Sequence, residues 1–317
     1  MTVSFELIEE IRPEVARHVR RTPLVRSDWL SETTGGEVWL KCENLQRTGS
    51  FKARGGFAAA SRARGPVLAS SAGNHGQGLA LGAKSYGVPC TIVVPRTIPR
   101  VKEEAIRRLG ARVVKAPFDG YDDTQTWTLE RQTELGGTFI SPFEAPEVIA
   151  GNGGTLALEI FDELKGLDAL VIPCGGGGCA IGAGIAARTA SPGTRVVGVN
   201  TDASPGMWLS RRDGRPHLRV ESAPTIAEGI EGGVSEASFE MANRWVDELT
   251  VVPERTIRRG VVEVLRREKM LVEGSGAAGV AALLEGNVPP GKVCVLLSGS
   301  NIDLDRLAEL LAEAPPG

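Results

Sequence analysis

Short apolar runs bounded by Gly and Pro alternate with segments of helical periodicity along almost the whole chain. The runs read as buried strands and the amphipathic segments between them as helices. The pattern predicts strands over 38–40, 66–70, 90–94, 111–115 and 138–140, with helices starting near 57 and spanning 73–86, 99–109 and 122–135. It restarts after Gly154 as helix 155–164, strand 169–173, helix 179–190 and strand 195–199. Residues 208–233 show no period and are expected to be irregular. Helices 236–246, 255–268 and 276–285, strand 293–297 and helix 304–312 complete the chain, leaving a short tail over 314–317. Such alternation predicts an α/β fold with parallel-rich twisted sheets flanked by helices. The expected arrangement is two units, 1–65 with 144–317 as the larger and 66–143 as the smaller, with a ligand cleft between them.

Composition narrows the possible functions. A net charge of −3 over 317 residues argues against nucleic acid or an anionic membrane as partner, and 5% aromatic residues provide no stacking platform for bases. No run approaches the ~20 apolar residues of a membrane-spanning helix, and the acidic N-terminus does not resemble a signal peptide. Five cysteines, odd in number and set in strand-like or glycine-rich contexts, fit buried thiols in a reducing cytoplasm. Cys174 and Cys179 bracket four glycines without a second ligand pair, so no metal site is expected.

Four loops carry candidate chemistry. In the first, Ser50-Phe51-Lys52 stands between an apolar strand and a helix, where a partly dry lysine loses its proton easily and its amine can form a Schiff base. The second, Ser70-Ser71-Ala72-Gly73-Asn74-His75-Gly76-Gln77-Gly78, follows a strand and opens a helix, whose free amides suit a carboxylate or phosphate. In the third, Gly175-Gly176-Gly177-Gly178 allow successive amides to curl around a phosphate. Gly175, Gly177 and Ala180 also satisfy a G-x-G-x-x-A dinucleotide pattern, so this loop alone does not separate a nucleotide from a smaller phosphate ester. The fourth, Ser298-Gly299-Ser300-Asn301, follows a buried strand and offers a hydroxyl to a ring nitrogen or another polar atom. Each loop also reads as a plain helix cap or turn.

Taken together, the loops resemble the fold-type II pyridoxal-phosphate enzymes of the tryptophan synthase β type. They most closely resemble the threonine/serine dehydratase family, which includes serine racemase. The resemblance runs in order through residues 41–55, 70–78, 141–159, 175–178, 225–229, 273–279 and 298–303. The dinucleotide reading leaves the lysine and Asn74 loops unexplained. The resemblance implies that Lys52 holds pyridoxal 5'-phosphate as a Schiff base and acts as base at the substrate α-carbon. Gly175, Gly176, Gly177 and Gly178 would cradle the phosphate, Asn74 would meet the phenolic oxygen, Phe51 would lie against the ring and Ser298 would face its nitrogen. Ser71, Ala72, Gly73, Asn74 and His75 would bind the substrate carboxylate on a mobile small domain. The implied reaction is dehydration and deamination of a β-hydroxy amino acid, L-threonine or L-serine, to a 2-oxo acid and ammonia. A racemase of the same fold, or a dehydratase of a less common β-hydroxy amino acid, is the alternative. A cytoplasmic homodimer is the family default.

Departures from the family pattern sharpen the reading. Ala72 stands where racemases carry a serine able to return a proton to the opposite face. Asn200 and Gly206 stand where racemase-like members place metal-binding carboxylates. Glu228 replaces a usual aspartate, and Asn152 a usual glutamine. Glu273 is expected near the cofactor, and His18 and His217 are expected in solvent. No regulatory domain like that of the biosynthetic threonine deaminases is expected after the last helix.

Overall fold

The computed structural model describes residues 2–313; the tail expected at 314–317 lies outside them. The strands are β1 Leu24–Arg26, β2 Glu37–Lys41, β3 Val67–Ser70, β4 Cys90–Val94, β5 Arg112–Lys115, β6 Thr138–Phe139, β7 Ala169–Pro173, β8 Arg195–Thr201, β9 Glu248–Val252 and β10 Lys292–Leu296. They form a six-stranded sheet, β1-β2-β10-β7-β8-β9, and a four-stranded sheet, β5-β4-β3-β6. Only β1 runs antiparallel to its neighbour.

The apolar runs are continuous because both faces of each sheet are covered, as a parallel sheet requires. Along β7, Leu170 and Ile172 enter one core while Ala169 and Val171 enter the other. The first core packs helices Phe5–His18, Thr155–Glu163 and Gly178–Ala190. The second packs Glu254–Glu263 and Gly274–Leu284. In the smaller sheet, Ile92 and Val94 meet Leu79, Ala83 and Ile106, while Leu68 and Val93 meet Trp127 on the far side.

Several elements depart from the periodicity. Residues expected to be irregular contain helix Gly206–Asp213, closed by Gly214 in the left-handed region at φ 66°. Its buried residues are Gly206, Met207 and Ser210, too few apolar positions to set a period. β1 is three residues long and β9 is half-buried except at Val252, so neither offers a full apolar run. A π-helical turn, Ala150–Gly154, joins helices Pro146–Ile149 and Thr155–Glu163.

One contact fixes the smaller sheet to the larger. Helices Lys52–Ser61 and Asn74–Ser85 cross backbone on backbone. A Cβ on Gly56 would lie 2.1 Å from the Gly78 carbonyl oxygen, and one on Gly82 would lie 2.3 Å from that of Gly56. Glycine is required there by the space, and the same crossing brings the Lys52 and Asn74 loops side by side.

Candidate active site

Lys52 is the first residue of its helix, at the end of a loop tied down along its length. After β2 the chain makes two 3-10 turns, Glu43–Leu45 and Arg47–Gly49. The Asn44 amide donates to the Leu297 carbonyl at 2.8 Å and the Ser300 amide to that of Gly49 at 2.9 Å. Ser50 bridges Gly299, and the Phe51 amide donates to the Ser298 carbonyl at 3.1 Å. Thr48 holds φ at +59°, a strained conformation for a β-branched residue, and its carbonyl accepts from Asn301 Nδ2 at 2.7 Å. The lysine loop and the 298–301 loop are therefore one structure. Lys52 Nζ stands 5.1 Å from the centre of the Phe51 ring. Burial lowers its amine from the ordinary 10.5 to about 8, against the upward pull of Cys179 and Glu273.

The four-glycine loop turns from β7 into helix Gly178–Ala190 with Gly177 left-handed at φ +84°. Among the described residues, the amides of Gly175 to Gly178 donate to no protein acceptor, leaving four orphan N–H groups in succession. The loop is packed too closely for side chains: a Cβ on Gly176 would lie 2.6 Å from Phe143 Cγ, and one on Gly175 would lie 2.9 Å from the Ile230 Cα. Asn200 donates to the Cys174 carbonyl at 2.5 Å, fixing the approach to the loop. Its side chain serves β8 and this turn. Ser298, 4% exposed, leaves its hydroxyl without a protein partner among the described residues.

In the second loop, Ser71 Oγ accepts from the Gly73 amide at 3.3 Å, and helix Asn74–Ser85 begins without a side-chain cap. Ala72 contributes only a methyl group. Asn74 Nδ2 donates to Glu273 Oε1 at 2.7 Å, and its Oδ1 accepts from Asn301 Nδ2 at 2.7 Å. His75 is buried, with Nε2 2.9 Å from the Ile140 carbonyl and Nδ1 unpartnered. The carbonyl requires the proton on Nε2. Burial, and then the nearby Lys52, push the imidazole down to about 3, so it is neutral at physiological pH. Glu273 lies ahead of helix Gly274–Leu284, and burial raises its carboxyl to about 7 despite the Asn74 hydrogen bond.

Lys52, Phe51 and Ser298 thus adjoin directly, and Asn74 joins them through Asn301 and Glu273. The glycine loop leads into Cys179, a buried thiol that feels Lys52, Glu43 and Arg54. His18, expected in solvent, is half-buried and stacks on Phe57 with ring centres 4.9 Å apart. The apolar back of the lysine helix draws it in. His217 is half-buried and paired with Asp213 at 2.9 Å.

Residue patterns did not single out a buried ionic group behind the lysine. Arg54, fully buried, forms a fork with Glu43 at 2.9 and 2.8 Å and a second with Glu159 at 2.7 and 2.8 Å. Lys41 donates to Glu159 at 2.8 Å and to the Thr22 carbonyl at 2.9 Å. The available signal was charge out of place: Lys41 ends an apolar strand and Glu159 interrupts an apolar helix face.

A family model described as pyridoxal-phosphate dependent enzyme matches residues 15–299. The chain is 41% identical to an L-threonine ammonia-lyase of Thermotoga maritima over 98% of its own length and 78% of that protein. Among solved structures, it resembles the processed form of threonine deaminase isoform 2 from Solanum lycopersicum. That match has a TM-score of 0.90 and 30% identity, covering 98% of this chain and 93% of that one. It also resembles a serine racemase from Dictyostelium discoideum, with a TM-score of 0.88 and 31% identity over 96% and 100% of the two chains. A lysine amine poised beside four unpaired backbone amides agrees with these likenesses, and the chain belongs to the pyridoxal-phosphate dependent enzyme family.

Proposed function

We propose that the protein is an ammonia-lyase that converts L-threonine, L-serine or both to the 2-oxo acid and ammonia. The observation that carries this reading is Lys52, half-buried with its amine lowered to about 8, beside a loop of four free amides. The residues fit pyridoxal phosphate: Gly175 to Gly178 supply donors for a phosphate monoester, Ser298 a neutral hydroxyl, Phe51 an aromatic face and Asn74 an amide. When bound, that group supplies the electron sink that makes an amino acid's α-proton acidic.

The chain's own residues do the rest. The amides opening helix Asn74–Ser85 have no protein acceptor among the described residues and suit the substrate carboxylate, with Ser71, Ala72 and Gly73 shaping the approach. His75, neutral, adds no charge and locks the loop to Ile140. Lys52 takes the α-proton and returns it to the departing β-hydroxyl, so the α C–H and β C–O bonds break, a C=C bond forms and water leaves. Hydrolysis of the resulting enamine gives the oxo acid and ammonia. Ser298 does not enforce a protonated ring as a carboxylate would, which favours expulsion of a β-group over return of a proton. Ala72 provides no second acid for racemisation.

The reading includes a cytoplasmic homodimer in which residues 66–143 move as a small domain against 1–65 and 144–317. The free, buried cysteines support a reducing compartment. Among the described residues, no helix is long and apolar enough to cross a membrane. Purified, cofactor-loaded protein should form 2-oxo acid and ammonia from L-threonine or L-serine, and Lys52→Ala should lose at least ~1,000-fold in turnover. Undiminished activity in Lys52→Ala would overturn the reading. Formation of D-amino acid without oxo acid would move it to racemisation.

A further inference from the structure

We propose that Ser204 is a positioning residue for the phosphate cradle, its hydroxyl fastening a strap, residues 217–234, against the four-glycine loop. The inference rests on the reading of Gly175 to Gly178 as the cradle of pyridoxal phosphate. Within the strap the only regular element is the short 3-10 turn Glu228–Ile230. Its two ends lie side by side, with the Val234 amide donating to the His217 carbonyl at 2.8 Å. A Cβ on Gly233 would stand 2.0 Å from the Leu218 carbonyl oxygen, so the two limbs touch at the base. Between its ends the strap reaches the cradle, where the backbone of the buried Ile230 lies against Gly175.

Ser204 stands in the turn between β8 and helix Gly206–Asp213 and is fully buried. Its Oγ accepts from Ser222 Oγ at 2.8 Å and from the Gly232 amide at 3.0 Å. One oxygen thus joins the outgoing and returning limbs of the strap. The turn that carries it is fixed to the sheet. The Asp202 amide donates to the Val252 carbonyl at 2.9 Å, and Asp202 Oδ1 accepts from the Glu254 amide at 2.8 Å. The same turn meets both strap and cradle. A Cβ on Gly206 would lie 2.5 Å from the Gly232 carbonyl oxygen, and one on Gly177 would lie 2.8 Å from Met207 Cε. Before Ile230 the strap is held elsewhere. Glu254 accepts from Thr225 Oγ1 at 2.7 Å and from the Ile226 amide at 2.9 Å, and Ser275 Oγ accepts from the Gly229 amide at 2.9 Å. Ser204 holds the strap beyond Ile230.

Ser204→Ala leaves the Gly232 amide and the Ser222 hydroxyl without that acceptor, and a shielded donor that loses its partner is costly. The returning limb relaxes, Ile230 withdraws from Gly175, and the four amides lose the packing that fixes their places. Donors held in place bind an anion more tightly than donors that must first be ordered. The loss therefore falls on the phosphate and spares the amine of Lys52.

The test is titration of the full, cofactor-stripped chain with pyridoxal phosphate and with pyridoxal, which lacks the phosphate, uptake being followed by visible absorbance. Ser204→Ala should raise the Kd for pyridoxal phosphate about ten-fold and leave that for pyridoxal unchanged. Ser222→Ala removes one of the two bonds and should give a smaller rise of about three-fold, which decides the question should Ser204→Ala not fold. Ser210→Ala is the control. This buried serine donates to the Gly206 carbonyl at 2.7 Å and accepts from the His217 amide at 3.0 Å, at the base of the strap. Its affinity for pyridoxal phosphate should equal the parent's. Equal weakening of both ligands, an equal effect in Ser210→Ala, or no change would overturn the proposal. A parent chain that binds pyridoxal as tightly as pyridoxal phosphate would overturn the cradle reading itself. A parent that prefers the phosphate, with Ser204→Ala and Ser222→Ala unaltered, overturns this inference alone.

Discussion

At the scale of single residues, two groups of the site stand in protonation environments that are costly near neutral pH. Lys52 is displaced to about 8 and Glu273 to about 7, each mainly by burial. A carboxyl raised in the folded chain binds more protons than in the unfolded one between its ordinary 4.5 and 7. Stability therefore falls as pH rises through that window. Glu273→Gln removes the cost while keeping an oxygen for Asn74. The variant should melt at a higher temperature than the parent at pH 8, by the equivalent of about 1–2 kcal/mol, with little difference at pH 4.5. Thermal melts of cofactor-free protein at the two pH values check this, and an equal gain at both would refute the assignment. Lys52 has the opposite dependence, its folded value lying below the unfolded 10.5. Its penalty is complete below about 8 and is relieved as pH rises toward 10.5. The cofactor-free chain thus carries both penalties between pH 7 and 8, as expected where function opposes stability.

At the scale of elements, the crossing of helices Lys52–Ser61 and Asn74–Ser85 sets how the lysine and the second loop meet. Gly56→Ala gains helix propensity but drives a Cβ into the Gly78 carbonyl, where only backbone is available to move. A net loss of about 2–3 kcal/mol is expected, seen as a lower urea midpoint with unchanged slope. Gly65→Ala, with nothing within 4 Å of the new Cβ, is the control and should be near neutral. The sequence pattern located this lysine loop and the glycine turn because each is a contiguous run with a physical requirement. It also located the strands buried on both faces, such as β4, β7 and β10. It did not reveal the buried ionic group behind the lysine, because Arg54 and Glu159 lie 105 residues apart and only the fold pairs them. Thr48 was equally hidden: nothing in a threonine announces a positive φ, and here the 298–301 loop imposes it. β1 and β9 escaped because short or half-buried edges lack an apolar period.

At the scale of the whole molecule, two exposed ion pairs span from the smaller sheet to the 214–234 segment. Lys102 meets Glu228 at 3.1 Å and Arg219 meets Asp123 at 3.6 Å. With Glu228 68% exposed, the first is worth at most ~1 kcal/mol and is readily screened. It also reaches the site: Glu228 pushes the Glu273 carboxyl up and Lys102 pushes it down. Glu228, which replaces the family's usual aspartate, is one methylene longer and extends across the gap to this lysine. If residues 66–143 close over the substrate, Lys102→Glu sets like charges against each other in the closed form and disfavours it. KM for the amino acid should rise about two- to five-fold at low salt, with kcat nearly unchanged. The effect should fade in ~0.5 M salt, where the screening length falls to a few ångströms. Lys102→Glu/Glu228→Lys should restore the parent KM. A low-salt KM equal to the parent's, or a defect that persists in salt, would mean that this pair does not hold the two sheets together during turnover.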